Sequence, residues 1–457
     1  MLFDVTAFAA SVSLNGVSEA FGVHEINQQI MSYVRQVDIA PVTVPDTTQP
    51  SAQLPLAPVD PTLLPQLGGR ALLGQFEILS RDSVASFVQA NPKTIAQLLV
   101  NPPTAREVTM WWRALPATKQ QALLSAAPEV VGNLGGVPFA TRDIANRQYL
   151  KESVAALKDE LALGLGRGAS GEVRDHLHTL EQIARALKGS PSDPARTLVT
   201  LDATYPGRAA IVSGDLVTAD YVSYLIPGMF FTIGGQVGDW ANTASELYRD
   251  QTRWLDYFGT EDPSLRGKTV ATVAWIGYDT PHLLNVGSLT LADQGANYLT
   301  QAIEGLQELR GTNQPYLSVL AHSYGSTAAM IALQQGAFQI DALAVVGSPG
   351  SAAQSVADLA VRGGNVYVGE ASWDPVVNTA FYGSDPGVAS YGAYRMSVDG
   401  GVDPITHAQL SASFGHNQYF MAGSESMRNM ALIGIDKGGY VTDGSGSAPE
   451  EMLAARR

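Results

Sequence analysis

The sequence predicts an alternating α/β fold, a largely parallel sheet covered by helices on both faces and preceded by a helical region. Two observations carry that prediction. Near residue 190 the pattern changes from helical apolar spacing to short β-branched and aromatic runs that alternate with helical stretches. In residues 316–330 (YLSVLAHSYGSTAAM) an apolar strand pattern runs into Ala-His-Ser-Tyr-Gly and at once into an Ala-rich helix pattern. A strand, a sharp turn and a helix with serine at the apex form the elbow that lifts a hydroxyl above a sheet as a nucleophile. Small residues belong two positions to either side, where the turn is crowded, and Ala321 and Gly325 stand there.

The elements follow in order. Residues 1–40 carry modest amphipathic patterning and read as a short helical segment, and the Pro-rich residues 41–66 read as an extended linker. Residues 67–190 read as a helical domain. Thr104 with Glu107 and Thr118 with Gln121 both show capping-box spacing, and long helices are expected over about 140–163 and 171–188. Residues 191–440 are expected to form the α/β domain. Strand patterns occur at 197–201, 209–213, 221–226, 270–276, 316–321, 342–346, 365–368 and 394–398, with helices at 293–309 and 326–335 among them. The Gly/Ser/Glu/Arg-rich residues 441–457 read as a flexible tail.

Composition excludes several function classes. A content of 45% hydrophobic and 16% charged residues over 457 positions is globular. The net charge of -15 argues against nucleic acid or an anionic membrane as the main partner. The chain has no Cys, which removes disulfides, thiolate metal sites and cysteine nucleophiles. No uninterrupted apolar run is long enough to span a bilayer. The first residues lack a basic leader and include Asp4, so a signal peptide is not recognised, and a cytoplasmic or exported location stays open. Oligomeric state is also open.

A serine nucleophile needs a base to take its proton and a carboxylate to orient that base. In elbow-type folds these follow in chain order serine, acid, histidine. Two histidines follow Ser323. His416, in a Gly-containing loop (SFGHNQYF) leading towards a helix, is preferred to His407, which reads as an exposed loop end. For the acid, the strand at 365–368 runs into Gly369-Glu370-Ala371-Ser372-Trp373-Asp374-Pro375. Reactive groups collect past the carboxyl ends of parallel strands, and proline stiffens the residue before it, which favours Asp374. Glu370 is the rival, and Asp385 reads as a turn residue. An oxyanion needs two backbone donors. The amide of Tyr324 is one. The amide of Met229, after Ile226-Pro227-Gly228, is the preferred second, with Phe230 as its alternative. Met229, Phe230 and Phe231 would form an apolar wall, and Phe230, Phe231 and His322 are placed as substrate-binding residues. Trp111 and Trp112 either line the entrance or pack between helices. This chemistry requires no metal and no organic cofactor.

Taken together, the motifs resemble the actinobacterial α/β-hydrolase family of the DUF1023 type. The resemblance rests on YLIPG at 224–228, VAWIGYD at 273–279, HSYGS at 322–326, VGSPG at 346–350, Asp374-Pro375, GSDP at 383–386 and HNQYF at 416–420. Upstream, WWRAL at 111–115, GNLGGVP at 132–138 and RDIANR at 142–147 are similar to the helical segment preceding that domain. The resemblance implies an α/β-hydrolase fold and a Ser323–Asp374–His416 triad. Ala321 departs from the usual glycine, and Met229-Phe230-Phe231 replaces a small-residue run. The expected activity is a serine esterase acting through an acyl-enzyme on small-molecule or lipid-like esters with apolar acyl or aryl groups. An amidase or acyltransferase with the same triad, or a non-catalytic envelope-associated binding module, are the alternatives.

Overall fold

The structure, a computed structural model, describes residues 59–164, 166–191, 193–229, 233–280 and 288–444. The segment 1–40, the linker up to residue 58, Phe230, Phe231 and the tail beyond 444 lie outside the described residues.

Eight α-helices precede the sheet among the described residues: α1 (Gly69–Ile78), α2 (Arg81–Ala90), α3 (Pro92–Val100), α4 (Ala105–Ala114), α5 (Ala117–Ala126), α6 (Pro128–Asn133), α7 (Phe139–Ala162) and α8 (Arg167–Ala186). α4 opens with the expected capping box: Thr104 Oγ1 accepts from the Glu107 amide, and the Glu107 carboxylate accepts from the Thr104 amide. α5 does not. It starts at Ala117 directly after Pro116, so Thr118 falls inside the first turn and caps nothing. The first helices bury Leu72, Phe76, Val84, Leu98, Val108 and Trp112 in a core of their own. Trp112 is 4% exposed there and Trp111 packs beside it, so this pair is helix core.

The sheet strands are β1 (Arg196–Asp202), β2 (Arg208–Gly214), β3 (Tyr221–Ile226), β4 (Val270–Ile276), β5 (Tyr316–His322), β6 (Ala342–Val346), β7 (Val366–Gly369) and β8 (Tyr394–Met396). Their order is β1-β2-β4-β3-β5-β6-β7-β8. The pairs β1–β2 and β2–β4 are antiparallel, and every later pair is parallel, so the sheet is mostly parallel as expected. Between the strands lie α9 (Ile233–Phe258), α10 (Thr290–Arg310) and α11 (Tyr324–Gln335), and α12 (Glu425–Ile433) follows. Successive residues of a strand face opposite sides of the sheet. Thus Leu317, Val319 and Ala321 join Leu299, Ile303 and Ala328 of α10 and α11 in one core. Leu320 joins Trp240 and Leu247 of α9 and Met430 of α12 in the other.

β1 is an edge strand, and its outward backbone groups are satisfied by side chains of α6 and α7. Asn133 donates to the Leu201 carbonyl (2.7 Å) and accepts from the Leu201 amide (3.0 Å). Asn146 donates to the Leu198 carbonyl (2.9 Å), and Asp143 accepts from the Leu198 amide (2.6 Å). Arg147 donates to the Arg196 carbonyl (2.5 Å). The two helices therefore act in place of a further strand and close an edge that would otherwise invite pairing with another chain. The described helices and sheet belong to one compact unit.

At the opposite edge, residues 441–444 are not a free tail. Ser397 donates its amide to Thr442 (2.8 Å), Gly444 donates to Arg395 (3.1 Å), and Met396 bridges Asp443, so this stretch pairs along β8.

Candidate active site

Ser323 follows the last residue of β5 and precedes α11 with φ 52° and ψ -131°. A non-glycine residue with positive φ costs about 1–3 kcal/mol and persists only where its surroundings force it. Here its amide is held by the Val346 carbonyl (3.0 Å) on β6 and its carbonyl by the Ser326 hydroxyl (2.5 Å). The crowding that requires a small residue at 325 comes from β3. A Cβ on Gly325 would lie 2.2 Å from the Pro227 carbonyl oxygen. Gly228 is equally confined, because its Cβ would lie 2.5 Å from Ser323 Cβ and 3.1 Å from Ser323 Oγ. The loop after β3 is thus pressed against the serine. Tyr278, from the turn after β4, donates to the Pro227 carbonyl (2.8 Å) and fixes that loop.

His416 Nε2 lies 2.7 Å from Ser323 Oγ. His416 Nδ1 lies 2.9 Å and 3.0 Å from Oδ1 and Oδ2 of Asp374, whose side chain is wholly buried. A carboxylate only accepts, so Nδ1 carries the proton and Nε2 offers its lone pair to the serine hydroxyl. Asp374 also accepts from the Val376 amide (2.9 Å) and the Tyr419 hydroxyl (2.6 Å). Burial pushes the Asp374 carboxyl up. The hydrogen bond and charge of His416, with the donors from Tyr419 and Val376, outweigh that and leave it below the usual carboxylate range.

The rivals sit elsewhere. Glu370 is buried beside Arg395, 2.7 Å from Nη2, in an ion pair whose angle does not make it a hydrogen bond. Burial raises its carboxyl despite that partner. Asp385 forms a turn with the Gly387 amide (2.8 Å). His407 lies at an exposed turn with φ 58°. The structure therefore brings Ser323, Asp374 and His416 into one hydrogen-bonded chain and leaves the three alternatives outside it.

The donors expected for an oxyanion are the amides of Tyr324 and Met229. Tyr324 is the first residue of α11, so its amide has no partner within the helix. Met229 is half-buried in the turn after Gly228. His322 does not line an open surface. It is 5% exposed, and its Nε2 donates to the His416 carbonyl (2.6 Å). Burial, and then the neighbouring charge of His416, push this imidazole down to about 3, so it is neutral. Sequence reasoning missed Tyr419, whose presence in the HNQYF motif was the available signal, and Trp373, which is 83% exposed beside Asp374. Trp373 stands next to Ser372, which bridges Phe414, itself 52% exposed two residues before His416. A cavity of about 400 Å³ between the α3–α4 connection and α10 is lined by Asn101, Thr104, Asn297, Gln301 and Glu304, away from this chemistry.

Residues 202–384 match the family described as alpha/beta hydrolase. The chain has the α/β-hydrolase fold. The match covers Ser323 and Asp374, and His416 lies beyond its end. The chain is 28% identical over 401 residues to an uncharacterized protein of Mycobacterium tuberculosis, covering 77% of this chain and 58% of that relative. It thus spans little more than half the length of that protein. It is 29% identical over 236 residues to an uncharacterized protein of Mycobacterium bovis, covering 48% of this chain and 84% of the relative. Among solved structures it is similar to carboxyl esterase 2 of Tuber melanosporum, with a TM-score of 0.32 and 10% identity over 55% of this chain and 89% of the other. It is also similar to the Pyrobaculum calidifontis esterase, with a TM-score of 0.34 and 11% identity over 57% and 91%. No helix among the described residues is long and apolar enough to cross a membrane.

Proposed function

We propose that the hydrolase domain is a serine esterase that cleaves carboxylic esters through an acyl-enzyme on Ser323. The single observation that carries this reading is the continuous chain from Ser323 Oγ through His416 to the buried Asp374 carboxylate. His416 Nε2 takes the hydroxyl proton as Ser323 attacks the ester carbonyl, and Asp374 stabilises the imidazolium that forms. The amides of Tyr324 and Met229 receive the oxyanion. His416 then protonates the departing alcohol, and water attacks the acyl-enzyme by the same steps in reverse. No metal or organic cofactor takes part.

The substrate class in this reading is an ester with an apolar acyl or aryl group. Met229, next to the Gly228 that is pressed against Ser323, and the exposed Trp373 and Phe414, adjacent in sequence to Asp374 and two residues before His416, support it as apolar surface on the loops that carry the triad. The triad serves amide cleavage and acyl transfer equally well, and product analysis with water against an alcohol acceptor separates those reactions. The test of the core claim is labelling by a fluorophosphonate probe. Wild type should label and Ser323→Ala should not; an unlabelled wild type sinks the enzyme reading and leaves the non-catalytic binding module. A series of model esters of rising acyl length should then favour longer chains in wild type more than in Trp373→Ala.

A further inference from the structure

We propose that Tyr419 is a positioning residue for this site, its buried hydroxyl tying the Asp374 loop to the His416 loop and fixing the plane of the Asp374 carboxylate. The inference rests on the reading of Ser323, Asp374 and His416 given above. Tyr419 is fully buried. Its hydroxyl accepts from the Ala371 amide (2.9 Å) and donates its one proton to Asp374 Oδ2 (2.6 Å). Asp374 Oδ1 meanwhile takes the Val376 amide (2.9 Å). Each carboxylate oxygen thus has one fixed donor besides His416, and rotation about the carboxylate bond would break both.

Gly347 supplies an independent sign that this junction is built tightly. It follows β6 with φ 58°, and a Cβ there would lie 2.8 Å from Tyr419 Cε2, 2.9 Å from Asp374 Oδ2 and 3.2 Å from His416 Nδ1. Three loops therefore meet at the phenol, the carboxylate and the imidazole, and the one without a side chain lets the other two close. Packing alone does not explain the oxygen of Tyr419, because phenylalanine fills the same ring volume. Removing it would strand the Ala371 amide and take one donor from Asp374. The titratable and charged groups facing this junction are His416, His322 and Glu370, with Arg395 and Asp385 behind Glu370.

The test is Tyr419→Phe in the full chain, with the concentration of working sites counted by fluorophosphonate titration. Per labelled site, kcat on a soluble p-nitrophenyl ester should fall about 10- to 100-fold, the range expected for losing a hydrogen bond to a charged group, with KM unchanged. The acidic limb of the rate profile should move to higher pH, because a carboxylate short of one donor holds the imidazolium more tightly. The proton NMR resonance of His416 Nδ1–H should move downfield, and a fluorinated tyrosine at 419, a stronger donor of the same shape, should move it upfield. A purely structural role would reduce the number of labelled sites without changing kcat per site, the limb or the resonance, and that result overturns the proposal. An unlabelled, inactive wild type whose resonance still responds would defeat the esterase reading while upholding the tie from Tyr419 to Asp374.

Discussion

His322 Nε2 donates to the backbone carbonyl of His416 across 2.6 Å, joining the residue before the nucleophile to the residue that would deprotonate it. The two rings lie 4.7 Å apart between centroids. Because Ser323 is covalently next to His322, this bond sets the distance between serine and base. His322→Phe should keep the packing and lose the donor, lowering kcat about tenfold with little change in KM. His322→Gln, whose amide reaches to the same depth, should restore most of the rate. Since burial, and then the neighbouring charge of His416, holds His322 neutral down to about pH 3, the acidic limb of the rate profile should survive in His322→Gln. Loss of that limb would assign the titration to His322 and refute this account.

Asp374 and Glu370 are four residues apart on one loop, and their partners separate them. Asp374 faces His416, whereas Glu370 faces Arg395. Asp374→Asn would present an amide to His416 Nδ1 and favour the wrong tautomer, so kcat should fall about ten-thousandfold. Glu370→Gln should stay within about threefold of wild type, as expected of a residue outside the reacting chain. Steady-state kinetics on one soluble ester decides between them, and the reverse ranking would move the acid to Glu370.

How far the sequence could be read depended on the range of each interaction. Ser323 was legible because the elbow is local: a strand, a crowded turn and a helix within fifteen residues. Asp374 and His416 were legible through chain order and strand ends, which constrain topology without coordinates. Tyr419 and the tie from His322 were not, because both depend on loops some fifty to a hundred residues apart folding onto one another. The RDIANR segment at 142–147 was visible as a motif, but its role at β1 required knowing that β1 is the sheet edge. Thr118 shows the opposite failure. The capping pattern is present, but Pro116 starts the helix before the threonine can cap it.

Gly228 gives a steric prediction that is free of backbone strain, since its φ is not positive. An added Cβ would meet Ser323 Cβ at 2.5 Å and must displace either the serine or the loop that holds the Met229 amide. A shift of about 1 Å at reacting atoms costs on the order of 100-fold in rate. Gly228→Ala should therefore lose about that factor in kcat while its circular dichroism and melting temperature stay near wild type. Retained activity would place the oxyanion donor elsewhere.

The side-chain closure of β1 predicts a stability effect coupled to association. Asn146→Ala removes the donor to the Leu198 carbonyl, and Asn133→Ala frees both the amide and the carbonyl of Leu201. Each unsatisfied group costs about 1–3 kcal/mol, so each variant should melt several degrees lower. The double variant should also self-associate in sedimentation velocity at concentrations where wild type does not change, because an open edge pairs with another chain. A double variant with wild-type melting and sedimentation would show that these bonds do not guard the edge.

Glu129, on α6, should make stability depend on pH. Burial, and then repulsion from Glu152, push its carboxyl up to about 7 from an ordinary value of 4.5. The folded chain then binds this proton more tightly than the unfolded chain. The associated stability is fully present below about 4.5 and is lost as pH rises through about 7. Glu129→Gln is neutral at every pH and removes the dependence. Its melting temperature should match wild type at pH 4.5 and exceed it by several degrees at pH 8. Parallel melting curves for the two proteins across that interval would mean that Glu129 ionises without penalty in the folded chain.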